Sequence, residues 1–326
     1  MPIISSSSYR ASGLFKFGHC NTIFPTLFRR VDDLNYVRER VELPDGDFID
    51  LDWSKVGSKQ LVLVLHGLEG SSDGIYIKGM IRAFNRAGWD GVAMNFRGCS
   101  GEMNRKLKSY NMGASDDLRN IITHLLATNS YQKLVLIGSS LGGNVILKYL
   151  GEEGKEVPSL INRAIAFSVP CDIPSTNVEL KKWSNQIYLK RFLGTLNEKL
   201  QTKAKAFPNQ MQFSGKKLKT FQDFDDVYTA PVHGYKDAED YWNRCSSKHF
   251  IPNIKIPTLL VNALDDSFLG DPSYPYELAK NHPYLYLETP ENGGHVGFVS
   301  RNKENLYWSE TRALEFVEEK KLVPAA

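Results

Sequence analysis

Apolar residues are spaced in two distinct ways along this chain. From Tyr36 to Trp53 they alternate with polar ones, as Val-Arg-Glu-Arg-Val-Glu-Leu, then Pro-Asp-Gly-Asp, then Phe-Ile-Asp-Leu-Asp-Trp. Alternation on both sides of an Asp45-Gly46 turn predicts an antiparallel hairpin with one face packed and one solvated. Leu61–Leu65 is instead an unbroken apolar run, which predicts a strand buried on both faces. Strand and helix patterns then alternate: helix over 75–87 closing at Gly88, strand over 91–96, helix over 114–128, strand over 133–137, helix over 141–150 and strand over 164–167. This rhythm predicts a mostly parallel central sheet with helices on both faces, an α/β fold.

The rhythm stops after residue 170 and returns with a buried strand over 257–261. The gap is far longer than a crossover helix needs, and much of it is helical in pattern, as over 183–200. We therefore expect one domain, 1–326, with a helical cap inserted over about 175–245 across the sheet's carboxyl edge. A helix near 274–280, a strand over 285–288 and a last helix near 306–319 complete the pattern. Residues 1–30 are Ser-rich, then mixed, and read as an arm packed on the domain.

Composition narrows the classes. Of 326 residues, 42% are hydrophobic and 24% charged, close to the globular average, so a sizeable core is expected. A net charge of +3 leaves no whole-protein footprint for nucleic acid. Cys20, Cys99, Cys171 and Cys245 form no CxxC pair, which favours neither a metal site nor a disulfide framework. No apolar stretch reaches secretory or membrane-spanning length, so a cytoplasmic protein, soluble or peripheral, is expected. Charge is nevertheless uneven. Residues 181–219 hold ten Lys or Arg and a single acid, Glu198. The plain reading is a solvated cap face; the sharper one is a cap turned toward anionic lipid headgroups. Interleaved Trp183, Tyr188, Phe192, Phe207 and Phe213 fit either an acyl channel or ordinary cap core.

Between strand 133–137 and helix 141–150 lies Gly138-Ser139-Ser140-Leu141-Gly142, a G-x-S-x-G in strand-turn-helix context. Such a sharp turn lifts Ser140 above the sheet edge and leaves no room for a Cβ on either flank. Ser139 is one residue off the pattern. A serine needs an adjacent base. Of seven histidines, His295 alone sits in a glycine-rich loop, Gly293-Gly294-His295-Val296-Gly297, after one of the last strands. The acid is expected after strand 257–261, at Asp265 or Asp266. Asp266, nearer the apolar Phe268-Leu269 pair, is preferred, to hold the imidazole tautomer and stabilise the imidazolium. Strand 61–65 leads into His66-Gly67-Leu68-Glu69-Gly70. There the backbone N–H of Leu68, with that of Leu141, is expected to form an oxyanion hole, and His66 to brace the loop.

With these motifs in place the chain resembles the α/β-hydrolase superfamily over about 35–320. It is most similar to the branch of YheT-type esterases and plant embryogenesis-associated hydrolases. The closer match rests on Gly18-His19-Cys20-Asn21-Thr22-Ile23, Arg40–Gly46, Asn95–Gly101, Phe224-Asp225-Asp226 with Thr229-Ala230-Pro231, and Gly294–Phe298. The resemblance implies a cofactor-independent serine hydrolase of carboxylic esters, with short-chain esters, acylglycerols and phospholipids as its range, and Ser140, Asp266 and His295 as its triad. A thioesterase or acyltransferase using the same acyl-enzyme, or a non-catalytic binding protein on the same fold, remains an alternative. The family usually has Pro after the paired aspartates; here it is Ser267.

Overall fold

The computed structural model describes residues 3–211, 213 and 215–318. Its strands are β1 (Ile3–Ile4), β2 (Val37–Glu42), β3 (Phe48–Ser54), β4 (Gln60–Leu65), β5 (Asp90–Asn95), β6 (Lys133–Ser139), β7 (Ile161–Phe167), β8 (Thr258–Val261) and β9 (Leu285–Glu288). They form one sheet in the order β1-β9-β8-β7-β6-β4-β5-β3-β2. β2–β3 and β3–β5 are antiparallel; every other pairing is parallel. This matches the alternation read from the sequence.

Four helices precede or follow the early strands: α1 (Gly18–Phe28), α2 (Ile75–Arg86), α3 (Ser115–Thr128) and α4 (Leu141–Glu153). Between β7 and β8 the chain forms α5 (Ile173–Lys181), α6 (Gln186–Ala206), α7 (Phe221–Phe224), a π-helical turn at Asp225–Thr229, α8 (Ala230–His233) and α9 (Ala238–Cys245). These helices pack around a hydrophobic cluster of their own, including Leu189, Leu193, Phe224 and Trp242. The first begins at Ile173, two residues ahead of the expected boundary. The chain ends in α10 (Tyr276–Lys280) and α11 (Trp308–Glu318); the expected helix end at 319 lies outside the described residues.

The apolar run of β4 serves two cores at once. Leu61, Leu63 and Leu65 pack with α3 and α4, whereas Val62 and Val64 pack with α2 and α11. Successive strand side chains point to opposite faces, so a doubly covered strand has no place for a polar residue.

The hairpin forms where expected, but neither face of β3 is solvated. Ile49, Leu51 and Trp53 enter the core, and Asp50 and Asp52 on the opposite face are also buried. The register sets Arg38 opposite Asp52 and Arg40 opposite Asp50. Each arginine binds its aspartate through two N–H groups at 2.8–2.9 Å and covers it. Alternation signalled polar side chains correctly; it carried no sign that long cross-strand partners would roof them.

The arm is more integrated than its mixed sequence suggests. β1 adds a parallel strand beside β9, and α1 packs on loops at the sheet's carboxyl edge.

Candidate active site

The register of the parallel strands assembles the site. Leu65 pairs with Gly138 and Ser139 with Phe167, so the loops leaving β4, β6 and β7 emerge side by side. Ser140 follows β6 with φ 52° and ψ −119°, a strained left-handed turn for a residue with a Cβ. Its N–H donates to Phe167 O at 2.8 Å, which holds the turn. A Cβ on Gly138 would lie 2.5 Å from the Gly142 backbone, and one on Gly142 would lie 2.5 Å from Leu65 O. The glycines of the motif are therefore required by close backbone approach. Ser139 faces away, beside Phe167 and Val296.

His295 and Asp266 meet across two loops. His295 Nδ1 donates to Asp266 Oδ2 at 2.8 Å. Asp266 is 3% exposed, and its other oxygen accepts the Phe268 N–H at 3.0 Å. Asp265 turns to the backbone instead, accepting Gly294 N–H at 2.8 Å. Burial raises its pKa above the ordinary carboxylate value, and the Asp266 charge adds to this. One aspartate therefore orients the ring and its neighbour shapes the loop that carries the ring. The Phe268 ring stacks on the imidazole with centroids 4.2 Å apart. Ser140 and His295 line the same cavity, and Ser140 Oγ makes no hydrogen bond to any described residue. A catalytic bond of this kind commonly tightens only with substrate bound.

Sequence reasoning missed the arm's part in this site. His295 N–H donates to Thr22 Oγ1 at 2.8 Å, and Val299 N–H to Asn21 Oδ1 at 2.9 Å. A Cβ on Gly18 would lie 2.1 Å from Asp265 O, and one on Gly294 would lie 2.3 Å from Gly18 O. Ser168, just after β7, accepts the Val296 N–H at 2.9 Å. The segment Gly18–Ile23 was already a point of family resemblance, and that was the available signal.

The loop after β4 carries the remaining candidates. His66 is fully buried, and burial pushes its pKa down to about 4. As a neutral ring it donates from Nδ1 to Gly67 O at 2.7 Å and accepts the Phe96 N–H on Nε2 at 3.2 Å, which is the bracing expected of it. The N–H groups of Gly67, Glu69 and Gly70 all find acceptors, at 2.9, 2.7 and 3.1 Å. The N–H groups of Leu68 and Leu141 donate to no described residue, and both residues line the cavity with Ser140. Leu141 opens α4, where the first N–H groups have no partner within the helix.

The family model for the alpha/beta hydrolase fold matches residues 60–301. The chain belongs to the alpha/beta hydrolase fold family. It is 34% identical over 302 residues to "Putative esterase YheT" of Escherichia coli (strain K12), covering 90% of this chain and 88% of that protein. It is 27% identical to "Phospholipase ABHD3" of Homo sapiens, covering 91% of this chain and 75% of the relative. The solved esterase Pf2001 of Pyrococcus furiosus superposes with a TM-score of 0.59 at 19% identity, over 89% of this chain and 96% of that one, which shows a common fold.

In this alpha/beta hydrolase the inserted helices and the loops above the sheet enclose a predominantly apolar cavity. Leu180, Phe192, Leu196 and Phe224 line it from the insertion. The interleaved aromatics divide. Phe192 lines the cavity and Tyr188 packs against Phe268, but Trp183 is 89% exposed. The basic segment also divides. Lys199 and Lys203 turn inward, the latter donating to Asn104 O and Oδ1 at 3.0 and 2.7 Å; the other eight basic residues are exposed. Among the described residues no helix is long and apolar enough to cross a membrane.

Proposed function

We propose that this chain hydrolyses carboxylic esters, and lipid-type esters in particular, through Ser140, His295 and Asp266. The observation that carries the reading is the 2.8 Å His295–Asp266 bond in one apolar cavity with a serine on a strained turn. Ser140 Oγ attacks the ester carbonyl while His295 Nε2 takes its proton. Asp266 fixes the tautomer and stabilises the imidazolium without taking the proton. The carbonyl oxygen gathers negative charge facing the free N–H groups of Leu68 and Leu141, at the start of α4. Collapse expels the alcohol, which receives the proton from His295. A water activated by the same base then releases the acid from the acyl-enzyme.

The apolar lining suits an acyl chain, and the esterase and phospholipase names of its relatives point the same way. A panel of p-nitrophenyl esters of increasing chain length, run beside acyl-thioesters, tests it. The reading expects ester turnover that improves beyond acetate; thioesters turned over faster at every length would replace it. The eight outward-facing basic residues of the cap add a surface suited to anionic lipid. Sedimentation with liposomes then depends on anionic lipid at low salt, and equal binding to neutral liposomes removes that contact.

A further inference from the structure

We infer that Lys199 and Tyr110 are positioning residues that hold the oxyanion loop in its working shape; this rests on the hydrolase reading above. Leu68 owes its free N–H to its neighbours. Gly67 is fixed by Tyr76, whose hydroxyl accepts its N–H at 2.9 Å. On the other side Glu69 has φ 54°, a left-handed conformation that costs a residue with a Cβ on the order of 1 kcal/mol or more. A side chain held firmly elsewhere must offset that strain.

Two groups hold Glu69, through three hydrogen bonds. The Tyr110 hydroxyl accepts the Glu69 N–H at 2.7 Å and donates to Glu69 Oε1 at 2.7 Å. Burial, and then the Glu69 charge, push the Tyr110 pKa well above its ordinary value, so the hydroxyl keeps the proton it donates. Lys199 Nζ donates to the same Oε1 at 2.8 Å. The Glu69 side chain is only 5% exposed. Lys199 belongs to α6 of the insertion, Tyr110 to the loop after β5 and Glu69 to the loop after β4. The clamp thus ties the inserted helices to the residue next to Leu68.

Removing Lys199 leaves the Glu69 carboxylate buried without its cation. Such a charge is relieved by swinging out to water or by taking a proton. Either response loosens the left-handed turn and moves the adjacent Leu68 N–H. Shifts of about 1 Å at a reacting centre cost about 10²-fold, and loss of one oxyanion donor costs about 10²–10³-fold.

The test uses p-nitrophenyl butyrate and a trifluoromethyl ketone, whose tetrahedral adduct places an oxyanion where the reaction does. For Lys199→Met we expect kcat to fall about 10- to 100-fold with KM changed less than about threefold, and the ketone's inhibition constant to rise by the factor that kcat falls. Lys199→Arg, which restores the charge, recovers most of the loss. Tyr110→Phe removes one hydroxyl and both its hydrogen bonds; it gives the same kcat-selective loss and carries the test if Lys199→Met does not fold. Unchanged kcat in a folded variant, or a loss expressed in KM, overturns the positioning role while leaving the hydrolase reading intact. A wild type with no Ser140-dependent turnover overturns both.

Discussion

Gly18→Ala separates two expectations of opposite sign. Gly18 opens α1, and alanine is favoured over glycine in a helix by up to about 1 kcal/mol. If the arm merely rested on the domain, the substitution would be neutral or stabilising. In the structure the new Cβ would lie 2.1 Å from Asp265 O and 3.3 Å from Asp265 Cγ. Real Cβ atoms essentially never approach within 3.0 Å of another heavy atom, so α1 or the acid loop must move by about 1 Å. Overpacking of this kind costs about 1–3 kcal/mol. The movement falls on the residue before Asp266, and the same helix supplies Thr22 to the His295 N–H. A displacement of about 1 Å at the triad implies a fall in kcat of about 10²-fold. Urea denaturation and steady-state hydrolysis of p-nitrophenyl butyrate measure both effects. A Gly18→Ala protein as stable as wild type, with unchanged kcat, would refute the claim that the arm is built into the site.

The two neighbouring aspartates should behave differently. Asp266→Asn removes the group that fixes the His295 tautomer, and kcat should drop by about 10⁴-fold. Asp265→Asn keeps an acceptor for Gly294 N–H and should lose about tenfold or less; equal losses in stopped-flow or steady-state assays would undo the assignment. Asp225 governs a pH effect. It is almost wholly buried, and burial pushes its pKa up to about 7 against hydrogen bonds from Thr229 and Trp242. The folded state therefore binds the proton more tightly than the unfolded chain. The stability this contributes is complete below about pH 4 and is lost as pH rises through about 7. The Asp225 carboxylate accepts the Trp242 Nε1–H at 2.7 Å; Asp225→Asn keeps an acceptor for it and should flatten the stability profile between those values. A wild-type urea midpoint no steeper with pH than the variant's would contradict this.

Much of this architecture is written locally. The five apolar residues of β4, the glycine pair around Ser140 and the glycine-rich loop of His295 each state a short-range requirement: two covered faces, a close backbone approach, a sharp bend. The remainder depends on partners distant in sequence. Asp50 and Asp52 read as solvated because nothing in their own strand announces the arginines opposite. Asp265 and Asp266 are the same residue type; spacing to Phe268-Leu269 favoured Asp266, and the folded position of residues 294–295 separates what each one binds. α1 showed no clear period because little of it is buried in a core. Its Asn21 and Pro25 are buried while Leu27 and Phe28 are exposed; Ile23 and Phe24 pack on two different apolar clusters, and its hydrogen bonds to loop 294–299 are polar links no periodicity records. Lys199 and Lys203 counted as surface charge in a basic segment, yet both reach inward to oxygens more than 90 residues away in sequence.

The central claim is that Ser140 is a nucleophile activated by His295, and an active-site-directed fluorophosphonate tests it most directly. The folded wild type should label with one equivalent of probe, peptide mapping should place the phosphonate on Ser140, and both Ser140→Ala and His295→Ala should abolish labelling and ester turnover together. A folded wild type that does not label, or a Ser140→Ala protein that labels and turns over ester at the wild-type rate, would contradict the account.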